Sequence, residues 1–289
     1  CLRNQRRRER DSMEMKTLIL LLSLTLSCSA QLTLRNAAYA PLLVPPAAGG
    51  GGGGSWSPTN LTLLSWIKAD ALGLNDGDAV GTWADQSGHS ADFTQATAGY
   101  KPLYRTNVCA ATGLPGVKFD GTDDRLGFTW SGGNEVTVVY VIKPGGSSVE
   151  GSWMDSAPNQ ANVFRQRESS NGRYAYFELH SFDPAGVMAD GLTNNAPVKW
   201  FAVRATTSPT RSLTGWDNGT VTVSNYVSSA STTSIAWTSS ATVGCVNGSG
   251  EFVNGYLLEF FATTTVLNGA NLTNIATYLN TRYGTPAAN

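Results

Sequence analysis

The sequence predicts an all-β fold, an antiparallel sandwich ended by a single C-terminal helix. Three observations predict it. Short β-branched and aromatic runs recur between clusters of Gly, Pro, Asn and Ser, an Asn-Gly pair marks a tight hairpin, and helical spacing appears once, at the end. Strands this closely spaced, with little helix between them, favour antiparallel pairing over βαβ units.

The elements follow in chain order. Residues 1–30 read as upstream residues plus a signal peptide. The chain opens on Cys1, and Met13 and Met15 are the candidate starts. Lys16 supplies a positive n-region and Thr17–Leu26 an apolar core of ten residues, too short for the roughly 20 a membrane span needs. Cys28-Ser29-Ala30 is a small-residue cleavage site, preferred over lipidation of Cys28 because Thr25 stands where a lipobox has Leu. Residues 31–55 carry Pro41, Pro45, Pro46 and the unbroken glycine run 49–54, which holds neither helix nor strand and reads as a tether. The domain then runs over 56–289.

Within it, Val136–Ile142 is a buried-strand run stopped by Pro144-Gly145-Gly146, and Tyr174–His180 is similar. Val198–Ala205 alternates. Arg211–Trp216 and Thr220–Ser224 flank Asp217-Asn218-Gly219, the hairpin signal. Thr233–Thr238, Ala241–Val246 and Phe252–Thr263 complete the strands. Leu272, Ile275, Ala276, Leu279 and Tyr283 then recur at helical spacing, with Asn268 to cap the start and Gly284 to end the helix.

Composition agrees with export. Only 14% of the 289 residues are charged, 41% are hydrophobic, and glycine reaches 31. That is lean in charge for a cytosolic domain and ample for a core. Residues 1–30 hold six basic and three acidic groups, which leaves 14 basic and 18 acidic, a net of −4, for the remainder. Neither nucleic acid nor an anionic membrane is favoured as a partner by such a surface. Beyond Cys1 and Cys28 the cysteines are Cys109 and Cys245, either a disulfide or two separate buried thiols. The two histidines, His89 and His180, give no zinc spacing.

Six short motifs occur in a fixed order: Trp66-Ile67-Lys68-Ala69-Asp70, Asp76-Gly77-Asp78, Trp83-Ala84-Asp85-Gln86-Ser87-Gly88, Val117-Lys118-Phe119-Asp120-Gly121-Thr122-Asp123-Asp124, Asn254-Gly255-Tyr256-Leu257-Leu258-Glu259, and a helix closing on Tyr278-Leu279-Asn280-Thr281-Arg282-Tyr283-Gly284. Together they span Leu64 to Gly284 and resemble the concanavalin A-like lectin/glucanase superfamily, in particular its laminin-G-like jelly-roll modules from secreted bacterial and phage proteins. The resemblance implies a jelly-roll sandwich of two curved antiparallel sheets. It also implies carbohydrate binding, adhesion, an accessory role or glycan hydrolysis. The same motifs have a plainer reading as Asp and Ser turns beside core anchors such as Trp83 and Phe119.

Hydrolysis needs two carboxylates across the scissile bond, and the hydrolases of this superfamily place them as Glu-x-Asp-x-x-x-Glu or Glu-x-Asp-x-x-Glu on a strand. Neither spacing is present within 56–289. Glu178 and His180 share a strand face, better read as an exposed polar face than as an acid/base pair. The expectation is therefore a non-catalytic carbohydrate-binding or adhesion module, secreted or surface-displayed. A structural virion or surface-layer component is the alternative, and a glycan-active enzyme with an unrecognised site the third reading.

Two constellations remain for binding. Asp120, Asp123 and Asp124, with Asp85, offer the hard oxygen ligands of a Ca²⁺ site, as laminin-G-like relatives have at a rim, or form turns solvated by water. Eight tryptophans exceed what a core requires. Trp153, beside Met154-Asp155-Ser156-Ala157-Pro158, and Trp216, before the hairpin turn, are expected to be partly exposed sugar platforms, with Asn159 and Asn218 as amide donors. Trp66, Trp83 and Trp200 are expected inside.

Overall fold

The computed structural model describes residues 56–131, 135–145, 150–156, 161–169, 172–178, 187–190, 197–206, 212–227, 238–246, 250–265 and 267–285. The strands are β1 Leu63–Lys68, β2 Thr82–Trp83, β3 Phe93–Thr94, β4 Leu103–Arg105, β5 Gly116–Asp120, β6 Leu126–Ser131, β7 Glu135–Pro144 and β8 Glu150–Ser156. Next come β9 Ala161–Ser169, β10 Gly172–Glu178, β11 Val187–Asp190, β12 Lys199–Thr206, β13 Ser212–Asp217, β14 Thr220–Val227, β15 Thr238–Val243 and β16 Asn254–Thr263. The helix α1 is Gly269–Tyr283. No helix among the described residues is long and apolar enough to cross a membrane.

Two antiparallel sheets form. One runs β14-β13-β12-β7-β16-β5-β4, with β1 also on β16, and the other β11-β10-β9-β8-β15-β6-β3-β2. The expected sandwich with one C-terminal helix is what the chain adopts. Strand β16 is the hinge of the first sheet: β7 lies along one side of it, and on the other side Asn254–Leu257 pair with β5 while residues 259–263 pair with β1.

Period-two alternation on β7 builds two cores. Val136, Val138, Tyr140 and Ile142 join the core that also holds Trp83, Phe93, Phe128, Trp153 and Phe260. Val139 and Val141 join a second core with Trp66, Trp200, Trp216, Phe261 and the α1 residues Ile275, Leu279 and Tyr283. The helix therefore covers the outer face of the first sheet. Asn268 Oδ1 accepts from Asn271 N at 2.9 Å, and Gly284 stops the helix in the left-handed region at φ +61°. Gly284 has a second reason to be glycine, since a Cβ there would meet Ala111 Cβ at 2.6 Å.

The Asp217-Asn218-Gly219 hairpin is confirmed, with φ +48° at Asn218 and +93° at Gly219 and Asp217 paired with Thr220. Strand β15 straddles two predicted runs, and residues 233–237 of the first lie outside the described residues. Strand β8 was not predicted. All of Gly151–Asp155 is buried, so no alternation marks it, and its polar residues Ser152 and Asp155 mimic a loop.

Candidate functional site

The site is built by a bulge. On β16, Leu257 faces the inter-sheet core, and strict alternation would send Glu259 in after it. The pairing with β7 instead jumps from Leu257↔Ile142 to Glu259↔Val141, so Leu258 is the extra residue. Glu259 emerges on the outer face, beneath the last turns of α1. There its Oε1 accepts from Trp66 Nε1 at 2.7 Å and from the Tyr278 hydroxyl at 2.9 Å. Its Oε2 accepts from the Tyr283 hydroxyl at 2.7 Å and Arg282 Nε at 3.2 Å. Arg282 Nη2 continues to Asp70 Oδ2 at 2.6 Å.

Glu259 is wholly buried. Burial pushes its carboxyl above the usual carboxylate range, against Arg282 and the donors from Tyr283, Trp66 and Tyr278. Trp66 and Arg282 can only donate, so the ionised carboxylate is the form that uses all four donors. Burial and the Glu259 charge push the Tyr278 and Tyr283 hydroxyls up, which keeps both protonated as donors.

Above this network lies an open cleft of about 430 Å³ lined by Trp56, Thr112, Leu114, Asn274, Thr277, Tyr278, Thr281 and Arg282. Asn274, Thr277, Tyr278, Thr281 and Arg282 follow i, i+3, i+4, i+7, i+8 spacing, so one stripe of α1 supplies the floor. Trp56 and Tyr278 meet edge to face, centroids 5.8 Å apart at 65°. Two aromatic rings beside threonine hydroxyls and one carboxamide can hold a polyhydroxylated ligand by its apolar faces and its hydroxyls. Of these residues only Tyr278, Thr281 and Arg282 sit in a quoted motif, and none was singled out from sequence as a ligand contact. The helical stripe was readable in the sequence. The approach of Trp56 and Thr112 to it was not.

The acidic turn forms as a cluster. Carboxylate oxygens of Asp120, Asp123 and Asp124 lie within 4.8 Å of one another. Asp120 Oδ1 accepts from Thr122 N and Asp123 N, and Asp124 Oδ2 from Asp120 N. Gly121 takes the left-handed turn at φ +84°. Asp85 does not belong to this cluster, because its carboxylate is spent on its own turn. It accepts from Trp66 N, Ser87 N, Ser87 Oγ, His89 N and Ala91 N. Burial opposes these donors, yet they hold the carboxyl below its ordinary value.

Burial, then the Asp120 charge, push Asp124 up to about 6. Folded Asp124 thus keeps its proton to higher pH than in the unfolded chain, where the ordinary value is 3.8. Stability from this carboxyl is full below that value and is lost as pH rises through about 6. Asp124→Asn keeps an acceptor for Asp120 N and removes the charge. Its melting temperature in calcium-free buffer is expected to exceed the parent's at pH 8, with the gap closing toward pH 4. A gap of equal size at both pH values would contradict this account.

The expected sugar platforms are corrected. Trp153 is fully buried in β8, and Trp216 is 6% exposed, packed in the core under α1. Asn218 serves the hairpin: its Oδ1 accepts from Trp200 N and its own N–H donates to Trp200 O. Asn159 and His180 lie outside the described residues. Cys109 and Cys245 are two separate buried thiols rather than a disulfide, and Cys109 Sγ donates to Tyr283 O at 3.1 Å. Trp66, Trp83 and Trp200 are buried as expected.

No family model and no curated protein matches the chain. Solved structures do. A Trypanosoma rangeli sialidase in complex with a difluoro-KDN compound is 12% identical, matching 81% of this chain and 35% of its own length at a TM-score of 0.52. A point mutant of HCR/D is 14% identical over 76% of this chain and 55% of its own, at 0.51. An arabinofuranosidase complexed with arabinofuranosyl-α-1,2-xylobiose is 11% identical over 74% and 58%, at 0.50. The chain therefore spans about a third to somewhat over half of these structures, and what it shares with them is the β-sandwich fold.

Proposed function

We propose that the chain is an exported, non-catalytic carbohydrate-binding module of the laminin-G-like kind, and that it takes glycan in the cleft between Trp56 and α1. The observation that carries this reading is the cleft itself, where two aromatic rings flank a stripe of hydroxyls and a carboxamide. The absence of the hydrolase carboxylate spacing from residues 56–289 supports a binding role. So does the full burial of Glu259, whose oxygens are committed to four donors rather than to a ligand. The signal-like segment and the glycine run support display of the module outside the cell.

The test is binding of the full chain to a glycan array, followed by titration of the strongest hit. Trp56→Ala is expected to weaken that hit about tenfold or more, roughly 1.4 kcal/mol, while lowering the melting temperature by only a few degrees, since Trp56 is only half-buried. A blank array would reject the reading and favour the structural component; turnover of the hit would favour the enzyme. The Asp120–Asp123–Asp124 turn fits a hard cation by its three carboxylates, so the titration is run with calcium and with chelator. Calcium dependence that Asp123→Asn abolishes assigns the ion to this turn. Equal binding in both removes calcium from the reading.

A further inference from the structure

Charge decides which glycans such a cleft accepts. Among its described lining residues Arg282 alone carries a formal charge. An arginine beside aromatic rings is the usual partner for a carboxylate or sulfate, through its planar fork of donors. Here two of its three nitrogens already face carboxylates. Nε donates to Glu259 Oε2, which is buried and shared with the Tyr283 hydroxyl, and Nη2 lies 2.6 Å from Asp70 Oδ2. The Arg282 side chain is only 21% exposed, against 34% for that of Asp70. One cation thus faces two carboxylates. Lys68, at the end of β1, places its Nζ over the Trp66 ring at 4.6 Å and does not line the cleft.

Granted the glycan-binding reading above, we infer that the cleft selects neutral glycans and turns away those bearing carboxylate or sulfate groups. An anionic sugar entering it would lose hydration without gaining a free cation, and would lie beside the partly exposed Asp70. A neutral sugar needs only the rings, the threonine hydroxyls and the Asn274 carboxamide, all of which are uncharged. Asp70 is then a specificity-determining residue: it touches no ligand and acts by occupying Arg282.

The experiment titrates the full chain against matched neutral and acidic probes: methyl-esterified and free oligogalacturonate, lactose and sialyllactose, dextran and dextran sulfate. Neutral members are expected to bind in a Trp56-dependent way, with affinity independent of salt. Their acidic counterparts are expected to bind about fivefold or more weakly at low salt, with the ratio shrinking at high salt. Asp70→Asn removes the negative charge that faces Nη2 and should narrow the ratio, whereas a merely structural role for Asp70 would leave it unmoved. Tighter binding of the acidic members, still lost in Trp56→Ala, would overturn the neutral preference and leave the glycan-binding reading standing. No binding of either kind, on these probes and on the array, would overturn both.

Discussion

Glu259→Ala is expected to cost about 3–5 kcal/mol of folding stability, the range for breaking a buried, hydrogen-bonded charge pair by removing one partner. Four donors lose their acceptor at once: Trp66 Nε1, the Tyr278 and Tyr283 hydroxyls, and Arg282 Nε. Arg282 would retain Asp70 and the 3.3 Å contact of its Nε with the Tyr283 hydroxyl. For a unit of this length the loss corresponds to a fall in melting temperature of roughly 6–20 °C. Glu259→Gln separates charge from shape. Its carbonyl can still accept from Trp66 and Tyr278, but its amide must face the Tyr283 hydroxyl and Arg282 Nε, so a loss intermediate between the parent and alanine is expected. Urea titrations would show this as a lower midpoint at unchanged slope. A loss below about 1 kcal/mol for alanine would mean that water replaces the carboxylate and that the network does not hold α1.

The same network explains why the site was only partly legible in the sequence. Each local device was readable. Asn268 and Gly284 bracket α1 where their side-chain chemistry predicts. Asn218-Gly219 closes the hairpin, and β7 declares itself by β-branched residues on both faces, as a strand buried on both sides must. The Asp120–Asp124 turn could be seen because its members are neighbours in the chain. The cleft could not. It joins Trp56, Thr112 and residues of α1 that only the sheet order brings together. Glu259 shows the point most directly, since in a regular strand it would share the face of Leu257. Its place under the helix depends on one extra residue in the β16–β7 register, and that register is set by two strands distant in sequence. Asp85 failed as a metal ligand for the opposite reason: the donors that consume it lie within six residues or on β1, so its turn is satisfied without an ion.

Trp153 gives the second large effect, because its burial separates core tryptophans from binding ones. Trp153→Ala is expected to lose about 3–5 kcal/mol, the range for deleting a large aromatic from a packed interior. The ring is enclosed on several sides. Phe93, Phe128, Tyr140 and Phe260 share its core, and Gly255 lies so near that a Cβ there would stand 2.7 Å from the tip of the indole. Gly255 is therefore glycine partly to admit Trp153. That closeness makes the argument checkable by coupling rather than by loss alone. Gly255→Ala in the parent should be strongly destabilising, since the new methyl meets both the indole and Lys143 O at 2.9 Å. Combined with Trp153→Phe, which withdraws the indole tip, the pair should be less unstable than the two single effects added together. Strict additivity would mean that the clash with the Lys143 carbonyl alone dominates. Glycan affinity supplies the contrast with Trp56. At temperatures where Trp153→Phe remains folded, its affinity should equal the parent's, whereas Trp56→Ala loses affinity while still folded. An affinity loss in folded Trp153→Phe would return that ring to the list of ligand platforms, against its complete burial.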